Sequence, residues 1–126
     1  MKAVLDTSVL IATDVAELEG ELAISTASLA ELHFGVLVTT DATIRAERLR
    51  RLSELQQKFD ALPVYERVAI SYGLLAAALA SSGRQPRSRV MDLLIAATAH
   101  AHSARLYTRN ADDLAGLEHL VDVVAV

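Results

Sequence analysis

Arg89-Val-Met-Asp-Leu-Leu-Ile-Ala-Ala-Thr-Ala-His-Ala-His102 is the stretch from which the fold can be read. Val90, Met91, Leu93, Leu94, Ile95, Ala96, Ala97 and Ala99 leave no polar stripe in its middle, so the spacing predicts a helix packed on most sides. Asp92 should be drawn inward with it. An ionised carboxylate in apolar surroundings costs several kcal/mol or shifts its pKa, so Asp92 requires a partner: a base, a set of donors or a metal ion.

On either side of this helix, short apolar runs alternate with helical patterns. Upstream, the loop Arg84 to Ser88 leads in, with Ser88 read as N-cap, and Arg67 to Ala80 reads as an Ala- and Leu-rich helix closed by Ser81, Ser82 and Gly83. Downstream, Arg105 to Thr108 reads as a strand, Asn110 starts a helical turn through Asp112, Asp113 and Leu114, and Leu120 to Val126 is a last strand. In the first half, Ala3 to Leu5 is a buried strand ending at Asp6, after which Thr7 or Ser8 caps a short helix. Leu22 to Ser25 is a second strand, delivering the chain to a helix from about Thr26 to Val38 with Leu29, Leu32, Val36 and Leu37 at apolar spacing. Asp41 to Phe59 reads as an amphipathic helix with Ile44, Leu52, Leu55 and Phe59 inward. Ala61 to Tyr65, carrying Pro63, reads as a short edge strand. Continuously apolar strands alternating with helices predict an α/β/α domain with a parallel sheet covered on both faces. In such sheets ligands bind beyond the carboxyl ends of the strands, where strand order reverses.

With 126 residues and 52% hydrophobic content, the expectation is one domain with a substantial core. The chain has no cysteine, which excludes a disulfide framework and a thiolate metal site and fits a reducing cytoplasm. Its first apolar run is broken at Asp6, unlike a signal peptide, and no uncharged run approaches the roughly 18 residues of a membrane span, so a soluble protein is expected. Twelve basic residues against sixteen acidic ones leave a net charge of −4, which argues against a bulk electrostatic grip on nucleic acid. Arginines nevertheless cluster at Arg45, Arg48, Arg50 and Arg51, read as a solvated helix face paired with Glu47 and Glu54. A second cluster, Arg84, Arg87 and Arg89, lies just before Asp92 and offers guides for phosphate.

Four carboxylates stand out. Asp6 follows a strand and by itself reads as a helix N-terminal acid. Glu31 fits a capping box with Ser28, or is free if Ser25 or Thr26 is the cap. Asp112 and Asp113 follow Asn110 as first-turn acids. Asp92 has the weakest structural explanation. Acids gathered at one sheet end without basic partners call for a hard divalent cation, Mg²⁺ or Mn²⁺, bound through oxygen. Mg²⁺ keeps waters and takes substrate phosphate oxygens, so the matching chemistry is phosphodiester hydrolysis by in-line attack of an activated water.

At these residues the chain resembles a known family. Val-Leu-Asp-Thr-Ser at 4–8, Ser-Leu-Ala-Glu-Leu-His-Phe-Gly at 28–35, Met-Asp-Leu-Leu-Ile-Ala-Ala-Thr-Ala at 91–99 and Tyr-Thr-Arg-Asn-Ala-Asp-Asp-Leu at 107–114 look like the acidic motifs of PIN-domain ribonucleases, in particular the VapC toxins of toxin–antitoxin pairs. The resemblance spans essentially the whole chain. It implies a three-layer PIN-like fold and a Mg²⁺-dependent endoribonuclease, usually a homodimer, inhibited by a small antitoxin that inserts a peptide into the acidic cleft. Carried over, Asp6 and Asp92 become the principal metal ligands, Glu31 and Asp113 complete the acidic cluster, and Thr7 and Thr108 support it. The fourth motif usually ends in Asp-Phe; here it is Asp113-Leu114 preceded by Asp112, so Asp113 matches by register with Asp112 as the alternative.

Other classes carry less. His33, placed on the apolar stripe of its helix, and His100 and His102, two apart on another, do not share a face as metal ligands would. A PIN-like domain that binds RNA or protein without cutting is disfavoured by the presence of all four acids. Aspartyl phosphotransfer lacks the second aspartate two residues after Asp6, where Ser8 stands.

Overall fold

Ala3, Val4 and Leu5 are all buried. Successive side chains of a strand face opposite ways, so a strand buried at every position must be covered on both sides. In the computed structural model, which describes residues 1–126, this strand, β1 (Lys2–Leu5), lies at the centre of a five-stranded sheet. Its companions are β2 (Glu21–Ser25), β3 (Asp60–Leu62), β4 (Arg105–Thr108) and β5 (Val123–Ala125). The order is β3-β2-β1-β4-β5 and every pairing is parallel, with Val4 opposite both Ala23 and Leu106. Strand order therefore reverses at β1, and the crevice between the carboxyl ends of β1 and β4 is the switch point at which such sheets bind ligands.

Five α-helices supply the covering layers: α1 (Thr7–Leu10), α2 (Thr26–Val38), α3 (Ala42–Lys58), α4 (Glu66–Ser81) and α5 (Val90–Ala101). The pleat divides the interior in two. Val4 and Leu106 pack with Val68, Leu75 and Leu79 of α4 and with Leu93, Ile95 and Ala96 of α5. Ala3, Leu5, Ile24 and Tyr107 pack with Val9 and Leu10 of α1 and Leu55 of α3. The result is the expected α/β/α sandwich. Leu93, Ile95, Ala96, Ala97, Thr98 and Ala99 are completely shielded, which matches the apolar reading of 89–102. A buried hydroxyl pair, Ser25 Oγ and Thr98 Oγ1 at 3.0 Å, joins the end of β2 to α5, and Thr98 also donates to the Leu94 carbonyl at 2.8 Å.

Several local expectations are corrected. The start of α5 is not capped by Ser88: Pro86–Arg89 forms a 3-10 turn in which the Ser88 hydroxyl donates to the Gln85 carbonyl, and Arg89 occupies the N-cap position. Asp92 therefore lies in the first turn of α5 rather than beyond it. Strand β3 is shorter than 61–65 because Pro63 cannot extend the ladder, and β5 is shorter than 120–126 because Leu120 and Val121 donate back to Leu117 in a turn. Ile44 of α3 and Leu37 of α2 face solvent instead of the core, and His33 is exposed rather than on a buried stripe. No helix is long and apolar enough to cross a membrane.

Candidate active site

Asp6 follows the last residue of β1 and is only 7% exposed, and although it stands at the N-cap position of α1, its side chain accepts none of the helix N–H groups. Its Oδ2 instead accepts from Ser8 Oγ at 2.6 Å and Thr108 Oγ1 at 2.9 Å. Both hydroxyl oxygens accept backbone N–H groups from the turn after β4, Ser8 from Arg109 and Thr108 from Asn110, each at 3.0 Å. With their acceptor side occupied, the two hydroxyls are held as donors toward Oδ2. Oδ1 takes neither of these bonds. The carboxylate is thus oriented by the strand end opposite, and Thr108 acts as a support of Asp6.

Glu31 is placed by the cap of α2. Ser25 Oγ accepts from Ala27 N at 3.1 Å, so the helix begins at Thr26 and the capping box with Ser28 does not form. One turn further in, Glu31 Oε1 accepts from Thr7 Oγ1 at 2.7 Å, and that hydroxyl lies 2.9 Å from the buried Ser28 Oγ. Thr7, adjacent to Asp6, therefore ties the second acid to the first.

Asp113 lies on the 3-10 turn Ala111–Leu114 and lines a small cleft with Asp6, Asp92, Thr108 and Asn110. Asp112 is exposed and lies outside that cleft. Asp113 Oδ1 also forms an ion pair with Arg89 Nη1 at 3.0 Å. Of the arginines read as phosphate guides, Arg89 is thus engaged by an acid and Arg84 donates to the carbonyls of Asp112 and Ala115, bracing the turn. Arg87 remains exposed.

Asp92 reports the electrostatics of the whole arrangement. Burial pushes its carboxyl up from the usual range, and the charges of Asp6, Glu31 and Asp113 push it further, against a smaller opposing pull from Arg89. Three acids drawn from the two ends and the first third of the sequence therefore bear on Asp92, with the Arg89 guanidinium opposing them. No three His, Cys, Asp or Glu side chains stand as a ready-made coordination shell. A cation of the Mg²⁺ type needs no such shell from the protein, since it takes one or two carboxylates and fills its other positions with water and phosphate oxygens. The donor set is all oxygen, as a hard cation requires. Of the histidines, His100 Nδ1 is 2.8 Å from Ser71 Oγ, and burial with nearby Lys2 and Arg67 lowers the pKa of His102.

Sequence reasoning missed Ser8, Ser28 and Asn110 as site residues. Ser8 had a signal, a hydroxyl two residues after a strand-end aspartate, but it reads equally as a helix cap. The contribution of Ser28 depends on Thr7, 21 residues away, and that of Asn110 is a backbone N–H that its residue type does not announce.

Comparison with known proteins follows the same lines. The family model described as PIN domain matches residues 3–119. Ribonuclease VapC5 of Mycobacterium tuberculosis (strain ATCC 25618 / H37Rv) is 39% identical over 126 residues, covering 95% of this chain and 90% of the relative. Ribonuclease VapC8 of the same species is 37% identical over 99 residues, covering 75% and 88%. Among solved structures, VapBC-5 of M. tuberculosis, a member of the VapBC family of toxin–antitoxin systems, superposes with a TM-score of 0.84 at 37% identity, covering 99% of this chain and 97% of that one. VapBC2 of Rickettsia felis, bound to a promoter DNA fragment, gives 0.77 at 21% identity over 100% and 98% of the chains, a likeness of fold. Matched along nearly its whole length by family, relatives and architecture, this chain belongs to the PIN-domain family.

Proposed function

We propose that the chain is the toxin of a toxin–antitoxin pair, an endoribonuclease that hydrolyses RNA phosphodiester bonds with Mg²⁺ or Mn²⁺ at the acidic cleft. The observation that carries this reading is the half-buried Asp92, which shares a small cleft with Asp6 and Asp113 and feels the charges of Asp6, Glu31 and Asp113 against the one guanidinium of Arg89, an arrangement that a divalent cation and a phosphate would complete. Asp6 and Asp92 are the proposed principal ligands, Asp6 through the oxygen not bonded to Ser8 and Thr108. Glu31, held by Thr7, and Asp113, held by Arg89, would complete the acidic set around the cation. The cation supplies Lewis acidity to the phosphate and to the attacking water. The residues around it do the rest: Ser8 and Thr108 orient Asp6, Thr7 fixes Glu31, and Glu31 and Asp113 would accept hydrogen bonds from the attacking water.

The relatives, a ribonuclease VapC5 and a VapBC toxin–antitoxin complex, support both the RNA substrate and a small antitoxin partner for this chain. Pairing of two copies belongs to the same reading, and the apolar side chains exposed on α4, Ile70 and Leu74, support it. The test is cleavage of labelled single-stranded RNA by purified protein: activity with Mg²⁺ or Mn²⁺, none with chelator, and none in Asp6→Asn or Asp92→Asn. Undiminished cleavage in either variant, or in chelator, refutes the assignment.

A further inference from the structure

The arginines of α3 do not form one solvated face. Arg50 turns outward and pairs with Glu47 and Glu54, but Arg48 and Arg51 turn toward the body of the protein. Arg51 Nη2 donates to the carbonyls of Leu10 and Ala12 at 2.8 and 3.3 Å, bracing the end of α1, and Arg48 Nη1 donates to the Gly35 carbonyl at 2.7 Å. Each contact uses only part of a guanidinium with five N–H donors. Between them and α2 lies an open groove of about 540 Å³, lined by Arg48 and Arg51 on one side and by Thr7, Glu31, Leu32 and Gly35 on the other. Thr7 follows Asp6 in the chain and Glu31 is one of the acids that act on Asp92, so the groove adjoins the acidic centre through these two residues. Glu47, the other acid on the rim, is committed to Arg50.

We propose that this groove is a nucleotide subsite, in which Arg48 and Arg51 hold the phosphate next to the one cleaved and the base or ribose lies against Leu32 and the bare backbone of Gly35. The proposal rests on the nuclease reading and names the part of the substrate that the acidic cleft leaves unbound. The acidic cleft repels an RNA strand and its own cation, Arg89, is paired with Asp113, so further attraction must come from beside it, where Arg48 and Arg51 line the groove that Glu31 also lines. The volume lies in the range of small-ligand sites. A protein segment would compete for the same groove, but two guanidiniums with spare donors match a phosphodiester better than an apolar helix face.

Two variants test this without touching the acids. A Cβ at Gly35 meets nothing within 4 Å, and residue 35 lies inside α2, so Gly35→Leu should fill the groove while favouring the helix. Arg48→Glu reverses one charge. Steady-state cleavage of a labelled single-stranded oligoribonucleotide library should show KM raised about tenfold by each, with kcat altered less than threefold and the cut-site preference redistributed. In Asp92→Asn protein, used for binding alone, Arg48→Glu should reduce the slope of log affinity against log salt by about 0.7, the loss of one phosphate contact on a single strand. Gly35→Leu should melt no lower than the parent, and both variants should unfold cooperatively. If the parent cleaves and both variants keep its KM, preference and salt slope, the subsite is wrong while the nuclease reading stands. If the parent never cleaves, the nuclease reading fails, and equal RNA binding with and without Gly35→Leu overturns the subsite separately. Loss of a protein partner with RNA binding unchanged also overturns it and assigns the groove to that partner.

Discussion

Asp92→Asn should make the metal-free protein more stable while abolishing its activity. The half-buried carboxylate faces three others and one guanidinium, and its pKa is displaced upward, so burial and repulsion outweigh its favourable place in the first turn of α5. Removing a strained functional charge commonly adds about 0.5–2 kcal/mol. Because water screens a half-exposed group, the lower part applies, about 0.5–1 kcal/mol, or roughly 2–4 °C in Tm for a chain of this size. The pH dependence has a defined sign. A carboxyl whose native pKa is raised above 3.8 binds its proton more tightly folded than unfolded, so its penalty is absent below 3.8, grows as pH rises through the shifted pKa, and is complete above it. The advantage of the variant should therefore be full at pH 7.5 and shrink as the solution is acidified toward pH 4. Mg²⁺ inverts the ranking: at a hundredfold excess over Kd it adds about 2.7 kcal/mol to the parent, and much less to the variant. Thermal unfolding of both proteins in chelator and in Mg²⁺, across pH, measures all of this. A variant that melts below the parent in chelator at pH 7.5, or an equal Mg²⁺ shift in both, refutes the electrostatic account of the cleft.

Other outcomes follow from single contacts. Ser8→Ala removes one of the two hydroxyls that orient Asp6 and should weaken Mn²⁺ binding about 10–100-fold by titration calorimetry, with the fold intact by circular dichroism. Thr98→Val deletes the buried bond to Ser25 and should cost about 1–3 kcal/mol by urea unfolding. Leu93→Ala opens a cavity beside β1 and β4 and should cost about 2–5 kcal/mol in the same assay, the largest loss of the set.

Much of the architecture is written locally. Ala3 to Leu5 and the run from Val90 to Ala101 are apolar at every position that matters, and such runs have few ways to be buried other than at the centre of a covered parallel sheet. The four acids were visible too, because Asp92 had no local explanation and the motifs around the other three resemble one family. Local chemistry misled at the edges, where alternatives of similar energy compete: Ser88 or Arg89 at the start of α5, Ser25 or Ser28 at the start of α2. Tertiary structure alone decided which oxygen of Asp6 is satisfied, that Thr7 reaches Glu31 across 24 residues, that Asp113 rather than Asp112 enters the cleft, and that Arg48 and Arg51 leave the helix face on which Glu47, Arg50 and Glu54 pair. The reason is physical: periodicity sets which side of an element is buried, whereas the direction of a polar side chain depends on partners brought by chain closure from the other end of the molecule.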